Sequence, residues 1–135
     1  MSKIAWIEDD HPEIPSLVRL LELDGHDIPR YRTSQDVEEH LAEICQCDAI
    51  ILDIILPPTN DDPYQGLSVL KKLREKCNYS APVIVCSVVR NPNVLQALNE
   101  LGVPGSWILH KPVRPSVLHD VVTKALSEST HEASQ

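Results

Sequence analysis

The stretch Asp48-Ala-Ile-Ile-Leu-Asp-Ile-Ile-Leu-Pro-Pro58 decides the fold. Apolar residues run without interruption from Ala49 to Leu52 and lead into Asp53. A short continuous apolar run with β-branched residues predicts a strand that is buried on both faces, as parallel sheets require. A carboxylate at the end of such a strand lies where open α/β sheets bind their ligands. Asp53 is therefore the first candidate functional residue. The alternative is a turn residue whose carboxylate accepts backbone N–H groups.

The composition is that of one ordinary globular domain. The chain has 135 residues, 42% of them hydrophobic, and it contains no Phe, so the core must be aliphatic. The net charge of −8 argues against direct nucleic-acid binding, because nucleic-acid-binding proteins concentrate positive charge. No apolar run is long enough to span a membrane, and no signal peptide is recognised. We therefore expect a cytoplasmic protein with neither membrane nor nucleic acid as a direct partner.

The cysteines indicate no metal site. Their spacings match no zinc pattern, and Cys86 lies inside an apolar run, where a thiol behaves as a small hydrophobic group. We expect all of them to be free thiols, which is typical of a reducing compartment. The cysteines are Cys45, Cys47, Cys77 and Cys86.

Strand and helix patterns alternate along the chain. Strands are predicted at Lys3–Ile7, at His26–Tyr31, in the stretch that ends at Asp53, at Pro82–Ser87 and at Ser106–His110. Helices are predicted from Pro12 to Gly25, from Thr33 to Ile44, from about Gly66 to Cys77, from Asn91 to Gly102 and from Pro115 onward. Five βα units imply an α/β fold whose parallel sheet is covered by helices on both faces. We expect the domain to span residues 1–126, with a polar, disordered tail over residues 127–135.

Polar side chains follow four of the predicted strands. Glu8 and Asp9 come after the first strand, Asp53 after the third, Ser87 ends the fourth and Lys111 follows the fifth. Because parallel strands end at one edge of the sheet, we expect these groups to lie close together. Carboxylates of this kind suit Mg²⁺, which usually keeps several waters and also binds phosphate.

This set of groups fits phosphoryl transfer. A carboxylate such as Asp53 acts as a nucleophile and forms an aspartyl-phosphate. A metal ion neutralises both the carboxylates and the incoming phosphoryl group. Ser87 and Lys111 supply the hydroxyl and the ammonium that bind phosphoryl oxygens.

Taken in order, these motifs resemble the receiver domain of two-component response regulators, which has the CheY-like fold. The resemblance covers residues 3–126 and rests on Glu8-Asp9-Asp10, Asp53-Ile-Ile-Leu-Pro57, Ser87 at a strand end and Lys111-Pro112. It implies a doubly wound, flavodoxin-like three-layer sandwich of (βα)5 type. The five-stranded parallel sheet would have the order 2-1-3-4-5.

The resemblance also implies a role for each site residue. Glu8 and Asp9 would hold Mg²⁺ with Asp53 and the main-chain carbonyl of Ile55, while Asp10 would be peripheral. Asp53 would be the phosphoacceptor, and Ser87 and Lys111 would contact the phosphoryl group. The bond between Lys111 and Pro112 would be cis.

The implied partners follow from the same family. A histidine kinase or phosphotransfer protein would donate the phosphoryl group, and a downstream protein or an output domain would receive the signal. Such a domain catalyses only its own phosphorylation and dephosphorylation, so it is not a turnover enzyme. The fourth and fifth predicted helices, with the strand between them, form a candidate homodimer face.

The chain departs from the family pattern in its apolar residues. Ile108 stands where a switch Tyr or Phe is expected, with Trp107 one residue earlier, and either Trp107 serves as the switch or it is only packed. Val88 replaces a small residue and should narrow access to Asp53. Neither Ile55 nor Val89 can orient an attacking water, which predicts a long-lived aspartyl-phosphate.

Two other features leave alternatives open. An insertion, Thr59–Tyr64, is either a partner-selecting element of the site or a tolerated surface loop. The missing aromatic and Val88 keep a phosphorylation-independent pseudo-receiver as a second hypothesis. A phosphatase of the haloacid dehalogenase type is largely excluded, because the required second acid is replaced by Ile55.

Overall fold

The structure, a computed structural model, describes residues 2–57, 62–77 and 81–133, with the backbone alone for residues 129–133. Among these residues, no helix is both long enough and apolar enough to cross a membrane.

The strands form one parallel sheet. They are β1 (Ile4–Ile7), β2 (Arg30–Tyr31), β3 (Ala49–Leu52), β4 (Val83–Ser87) and β5 (Ile108–His110). Their order is β2-β1-β3-β4-β5, and every neighbouring pair is parallel. The predicted α/β class and strand order 2-1-3-4-5 are thus confirmed. Strand β2 is shorter than predicted because Pro29 cannot donate a ladder hydrogen bond, and only an isolated bridge from Lys3 to Asp27 extends this edge.

Helices connect the strands. A 3₁₀ turn (Pro15–Val18) leads into α1 (Arg19–Leu23), followed by α2 (Ser34–Glu39), α3 (Leu41–Ile44), α4 (Gln65–Lys76), α5 (Pro92–Glu100), a second 3₁₀ turn (Gly105–Trp107) and α6 (Pro115–Ala133). The predicted second helix is therefore two helices. It breaks at His40, whose φ of −117° and ψ of 24° are not helical.

The core has two layers, one on each face of the sheet. Ile7 and Leu52 pack on one face with buried residues of α2, α4 and α5, such as Val37, Leu70 and Leu98. On the other face, the buried side chains belong to β1, β3 and β4 and to the first and last helices; they include Trp6, Ile51, Ile84, Leu21, Leu118 and Val122. Side chains alternate between the faces because successive residues of a strand point in opposite directions.

The last helix is longer than predicted. Helix α6 continues to Ala133, so residues 127–133 are helical where composition suggested a disordered tail. The polar segment after Ser127 contains neither Gly nor Pro, and so nothing in it stops a helix that has already started. The division of the chain at residue 126 stays a prediction.

The prediction of free thiols is wrong for two of the cysteines. Cys45 follows α3 and Cys77 follows α4, and a disulfide joins them, with 5.7 Å between their Cα atoms. Cys47 and Cys86 form no disulfide and are buried. Sequence spacing gave no sign of this pair, because the two residues are 32 positions apart and only the packing of the helices brings them together.

Candidate functional site

Asp53 lies at the carboxyl edge of the sheet, directly after β3. Its backbone N–H donates to the carbonyl of Ile7 at 2.9 Å, which extends the ladder between β1 and β3 by one residue. The side chain is 6% exposed. Its Oδ1 accepts from the backbone N–H of Ile55 at 3.1 Å, and its Oδ2 accepts from Lys111 Nζ at 3.0 Å. The Asp53 carboxylate therefore accepts both a backbone N–H, as a turn residue does, and the ammonium of Lys111.

Lys111 joins two acids of this edge. Its backbone N–H donates to the carbonyl of Ser87 at 2.9 Å, which holds it at the end of β5. Its Nζ lies 2.5 Å from Glu8 Oε1 and 3.0 Å from Asp53 Oδ2. Burial alone would lower the pKa of Lys111, but the hydrogen bonds to Glu8 and Asp53 outweigh burial and raise it. Lys111 is therefore a cation, and the bond to Pro112 is cis as the resemblance implied.

Glu8 is a buried acid that shares Lys111 with Asp53. It is 1% exposed, and burial followed by its hydrogen bond with Asp53 raises the pKa of its carboxyl to about 8. Lys111 opposes this shift but does not cancel it. A further cation beside Glu8 would favour its ionised form, and carboxylate oxygens are the donors that Mg²⁺ prefers.

The three consecutive acids after β1 form one cluster. Glu8, Asp9 and Asp10 each present an oxygen within 4.8 Å of the others. Glu8 is buried, whereas Asp9 is half-buried and Asp10 is exposed. Asp10, expected to be peripheral, is part of this cluster, and the run of three acids was the signal for it.

A cavity of about 390 Å³ opens over Asp53. It is lined by Asp9, Asp10, Asp53, Ile55, Pro57, Val88 and Lys111. Glu8 is not among these lining residues, although it contacts Lys111. The cavity wall therefore contains acidic residues, a lysine and apolar residues, and the cavity is large enough for a phosphoryl group.

Ser87 and Val88 form the β4 side of the site. Ser87 is 2% exposed, and its Oγ accepts from the backbone N–H of Val89 at 3.2 Å. Val88 is 57% exposed, although it is a large apolar residue. Val88 lines the cavity together with Asp53, and the narrowing of access to Asp53 by its bulk stays a prediction.

Helix α4 begins against the backbone of Asp53 and Ile54, a contact that sequence reasoning missed. The N–H of Gly66 donates to the carbonyl of Ile54 at 2.8 Å, and a Cβ on Gly66 would lie 2.2 Å from the carbonyl oxygen of Asp53. Upstream, Asp62 accepts from the N–H of Tyr64 at 2.9 Å and from the hydroxyl of Ser68 at 3.2 Å. The predicted insertion lies partly outside the described residues, which omit 58–61.

The register of β5 distinguishes the two candidates for the switch position. Ile108 pairs with Val85 and packs with the core layer of α4 and α5. Trp107 lies in the 3₁₀ turn before the strand and contacts both core layers. Ile108 is therefore a residue of β5 and Trp107 precedes the strand, while the assignment of the switch position stays a prediction.

Comparisons with known proteins agree on one family. The profile of the response regulator receiver domain matches residues 4–123. A search of curated proteins finds no match. Among solved structures, the chain is similar to a CheY-like response regulator receiver domain protein from Methanospirillum hungatei, with 22% identity, a TM-score of 0.81 and 98% of each chain covered.

Two further solved structures have the same fold. One is a two-component response regulator from Clostridium difficile, with 23% identity, a TM-score of 0.76 and coverage of 94% of this chain and 97% of that one. The other is the N-terminal domain of a response regulator/sensory box/GGDEF 3-domain protein from Carboxydothermus hydrogenoformans. It is 20% identical, with a TM-score of 0.74 and coverage of 97% of this chain and 98% of that one.

Proposed function

Because the chain belongs to the response regulator receiver domain family, we propose that it accepts a phosphoryl group on Asp53 in a Mg²⁺-dependent reaction. The observation that carries this proposal is the carboxylate of Asp53, held by Lys111 at 3.0 Å beside an acid-lined cavity. The family is generally not one of turnover enzymes. Its members partner with kinases and with output domains.

The charged groups support a simple order of events. An oxygen of the Asp53 carboxylate attacks phosphorus in line, and the bond from phosphorus to the donor's imidazole nitrogen breaks. The electron pair of that bond stays on the imidazole. Lys111, which contacts Asp53 Oδ2 before the reaction, then donates to a phosphoryl oxygen. The hydroxyl of Ser87 is at the same strand edge and supplies a second donor once it turns from Val89.

The acidic residues fit Mg²⁺. Glu8, Asp9 and Asp53, with the main-chain carbonyl of Ile55, would hold the ion, and Asp10 is a further carboxylate of the same cluster. When bound, the ion supplies charge neutralisation for the carboxylates and for the phosphoryl oxygens.

The proposed partners follow from this chemistry. The donor is a histidine kinase or a phosphotransfer protein, since a phosphohistidine can pass its group to a carboxylate. The output goes to a downstream protein or an output domain, and the net charge of −8 disfavours direct nucleic-acid contact. The proposed setting is the cytoplasm.

The mass of the intact protein tests whether Asp53 is the residue that accepts the phosphoryl group. We expect incubation with acetyl phosphate and Mg²⁺ to add the mass of one phosphoryl group to the wild type and none to Asp53→Asn. The control is Asp120→Asn, which removes an exposed carboxylate on α6 with 83% of its side chain accessible, and it should be labelled like the wild type. Chelation of Mg²⁺ should prevent labelling. Equal labelling of Asp53→Asn would refute the assignment.

A phosphorylation-independent pseudo-receiver is the second candidate, because Val88 is 57% exposed at the cavity and Ile108 replaces the aromatic residue. Beryllofluoride, a phosphoryl mimic, distinguishes the two functions. If the proposal holds, beryllofluoride with Mg²⁺ raises the melting temperature of the wild type but not that of Asp53→Asn. A pseudo-receiver shows no shift in either protein.

A further inference from the structure

The disulfide between Cys45 and Cys77 lies at the edge of the sheet opposite Asp53. Cys45 follows the last residue of α3 and precedes β3, and Cys77 follows the last residue of α4. Their Cα atoms are 5.7 Å apart, the usual separation for a disulfide. The fold therefore holds the two sulfur atoms in position to bond without movement of the backbone.

These two cysteines also differ from the others in accessibility. Cys45 and Cys77 are half-buried, whereas Cys47 is 5% exposed and Cys86 is 2% exposed. Burial raises the pKa of the Cys47 thiol and raises that of Cys86 to about 12, so both stay protonated and unreactive. A small thiol or disulfide can thus reach only the Cys45–Cys77 pair among the four.

We propose that Cys45 and Cys77 are a reversible thiol–disulfide modification site. It closes by exchange with a low-molecular-weight disulfide such as oxidised glutathione, and it opens in the corresponding thiol. This inference does not depend on the proposed phosphorylation, because neither cysteine touches the acceptor site.

The exchange balances in two steps. One cysteine thiolate attacks a sulfur of oxidised glutathione, forms a mixed disulfide and releases a glutathione thiolate. The second cysteine thiolate then attacks the protein sulfur of the mixed disulfide and releases the second glutathione thiolate. Two protein thiols are oxidised and one glutathione disulfide is reduced. The two protons lost by the cysteines end on the two glutathione molecules.

Closing the pair restrains the part of the chain that carries the acceptor. The cross-linked segment contains β3, Asp53 and all of α4. Helix α4 extends from the disulfide at one edge to Gly66 at the other, where the N–H of Gly66 donates to the carbonyl of Ile54. A covalent loop of this length lowers the conformational freedom of the unfolded chain, and so the oxidised form should be the more stable one.

Thiol counting tests the site directly. The full chain is equilibrated in buffers of increasing ratio of oxidised to reduced glutathione, quenched with acid, and alkylated in denaturant before intact mass is measured. We expect the wild type to change from four alkyl groups to two, and a peptide map to show Cys45 linked to Cys77. The same wild type should melt roughly 5–10 °C higher when oxidised than when reduced.

Cysteine variants inside and outside the proposed pair serve as controls for this experiment. Cys45→Ser and Cys77→Ser each replace a half-buried residue, and neither should form an intramolecular disulfide. Cys86→Ala is the matched control, and it should change from three alkyl groups to one. The proposal is overturned if the wild type keeps four alkylated thiols in every buffer, if either Ser variant still loses two thiols, or if both redox forms melt at one temperature.

Discussion

Gly66 shows how one missing side chain determines where a helix can start. A Cβ at this position would lie 2.2 Å from the carbonyl oxygen of Asp53 and 2.6 Å from the Cα of Ile54. Both are backbone atoms, so neither can move aside as a flexible side chain would. Helix α4 can therefore approach the backbone of Asp53 this closely only with glycine at its second residue.

Gly66→Ala should consequently destabilise the domain. We expect the free energy of unfolding in urea to fall by roughly 2–4 kcal/mol, because the backbone at Asp53 must shift to accommodate the methyl group. Gly105→Ala is the control, since a Cβ there meets nothing within 4 Å, and it should change stability by about 0.5 kcal/mol or less. Equal effects of the two substitutions would show that the close approach is not limiting.

A second prediction for a single residue concerns Ile55 and the lifetime of the proposed aspartyl-phosphate. Its side chain lines the cavity over Asp53 and has no group that can orient a water molecule. We expect Ile55→Asn to lose the phosphoryl group roughly tenfold faster than the wild type. The decay of the phosphorylated mass is followed in Mg²⁺ buffer after removal of acetyl phosphate.

Ile55→Val provides the apolar control for that experiment and should decay like the wild type. The prediction fails if Ile55→Asn and Ile55→Val decay at one rate, or if the wild type itself loses its label within seconds.

At the scale of secondary-structure elements, one ion pair joins the end of α1 to α6. His119 Nε2 lies 2.6 Å from Asp24 Oδ2, and Nδ1 of the same ring lies 3.6 Å from Asp120. The hydrogen bond to Asp24 raises the pKa of His119, with a smaller contribution from Asp120, against a modest effect of burial. The protonated ring is thus favoured in the folded state.

This shift makes the α1–α6 contact sensitive to pH. Because the pKa of His119 is raised in the folded state, its protonated ring stabilises the fold. This stabilisation is complete at pH values below the ordinary His pKa of about 6.5, and it is lost as pH rises through the higher pKa of the folded state. At pH 5 we expect the wild type to be more stable than His119→Gln. The difference in unfolding free energy should be less than about 1 kcal/mol, because Asp24 is partly exposed and solvent weakens the ion pair. The difference should shrink toward pH 9 in urea titrations, and a difference that grew with pH would contradict the ion pair.

At the scale of the whole molecule, a groove with apolar residues is exposed beside β5. A groove of about 480 Å³ lies between β5 and the start of α6, and its lining includes Ile108, His110, Val113 and Val117. Val117 is 42% exposed, although it is apolar. This groove lies on the surface for which the family resemblance implied a homodimer.

Substitution of Val117 tests that face. We expect beryllofluoride and Mg²⁺ to increase dimer formation by the wild type, and Val117→Glu to weaken the dimer at least roughly tenfold, because a charge would be buried in an apolar contact. Sedimentation velocity measures the change. Leu23→Glu is the control, since Leu23 is 65% exposed on α1 and does not line the groove. If the two variants dimerised equally, this face would be excluded as the dimer interface.

The sequence alone determined the architecture of this protein and the edge of the sheet at which its polar strand-end residues lie. Apolar runs such as Ala49 to Leu52 can only be buried between two helical layers, and the alternation of strands and helices then requires a parallel sheet. Polar residues after those strands must meet at one edge, which is why Asp53, Ser87 and Lys111 could be named in advance. Strand and helix bounds were less accurate, because local geometry such as the break at His40 leaves no periodic signal.

Tertiary structure decided what depends on distance between segments that are remote in the chain. The Lys111 contact with Glu8, the close approach of Gly66 to Asp53 and the Cys45–Cys77 bond each join separate elements. Periodicity reports only which face of an element is buried, not which atoms of two elements meet. Which side chains of two elements come into contact depends on the distance between the packed layers, and close packing sets that distance to a fraction of an ångström.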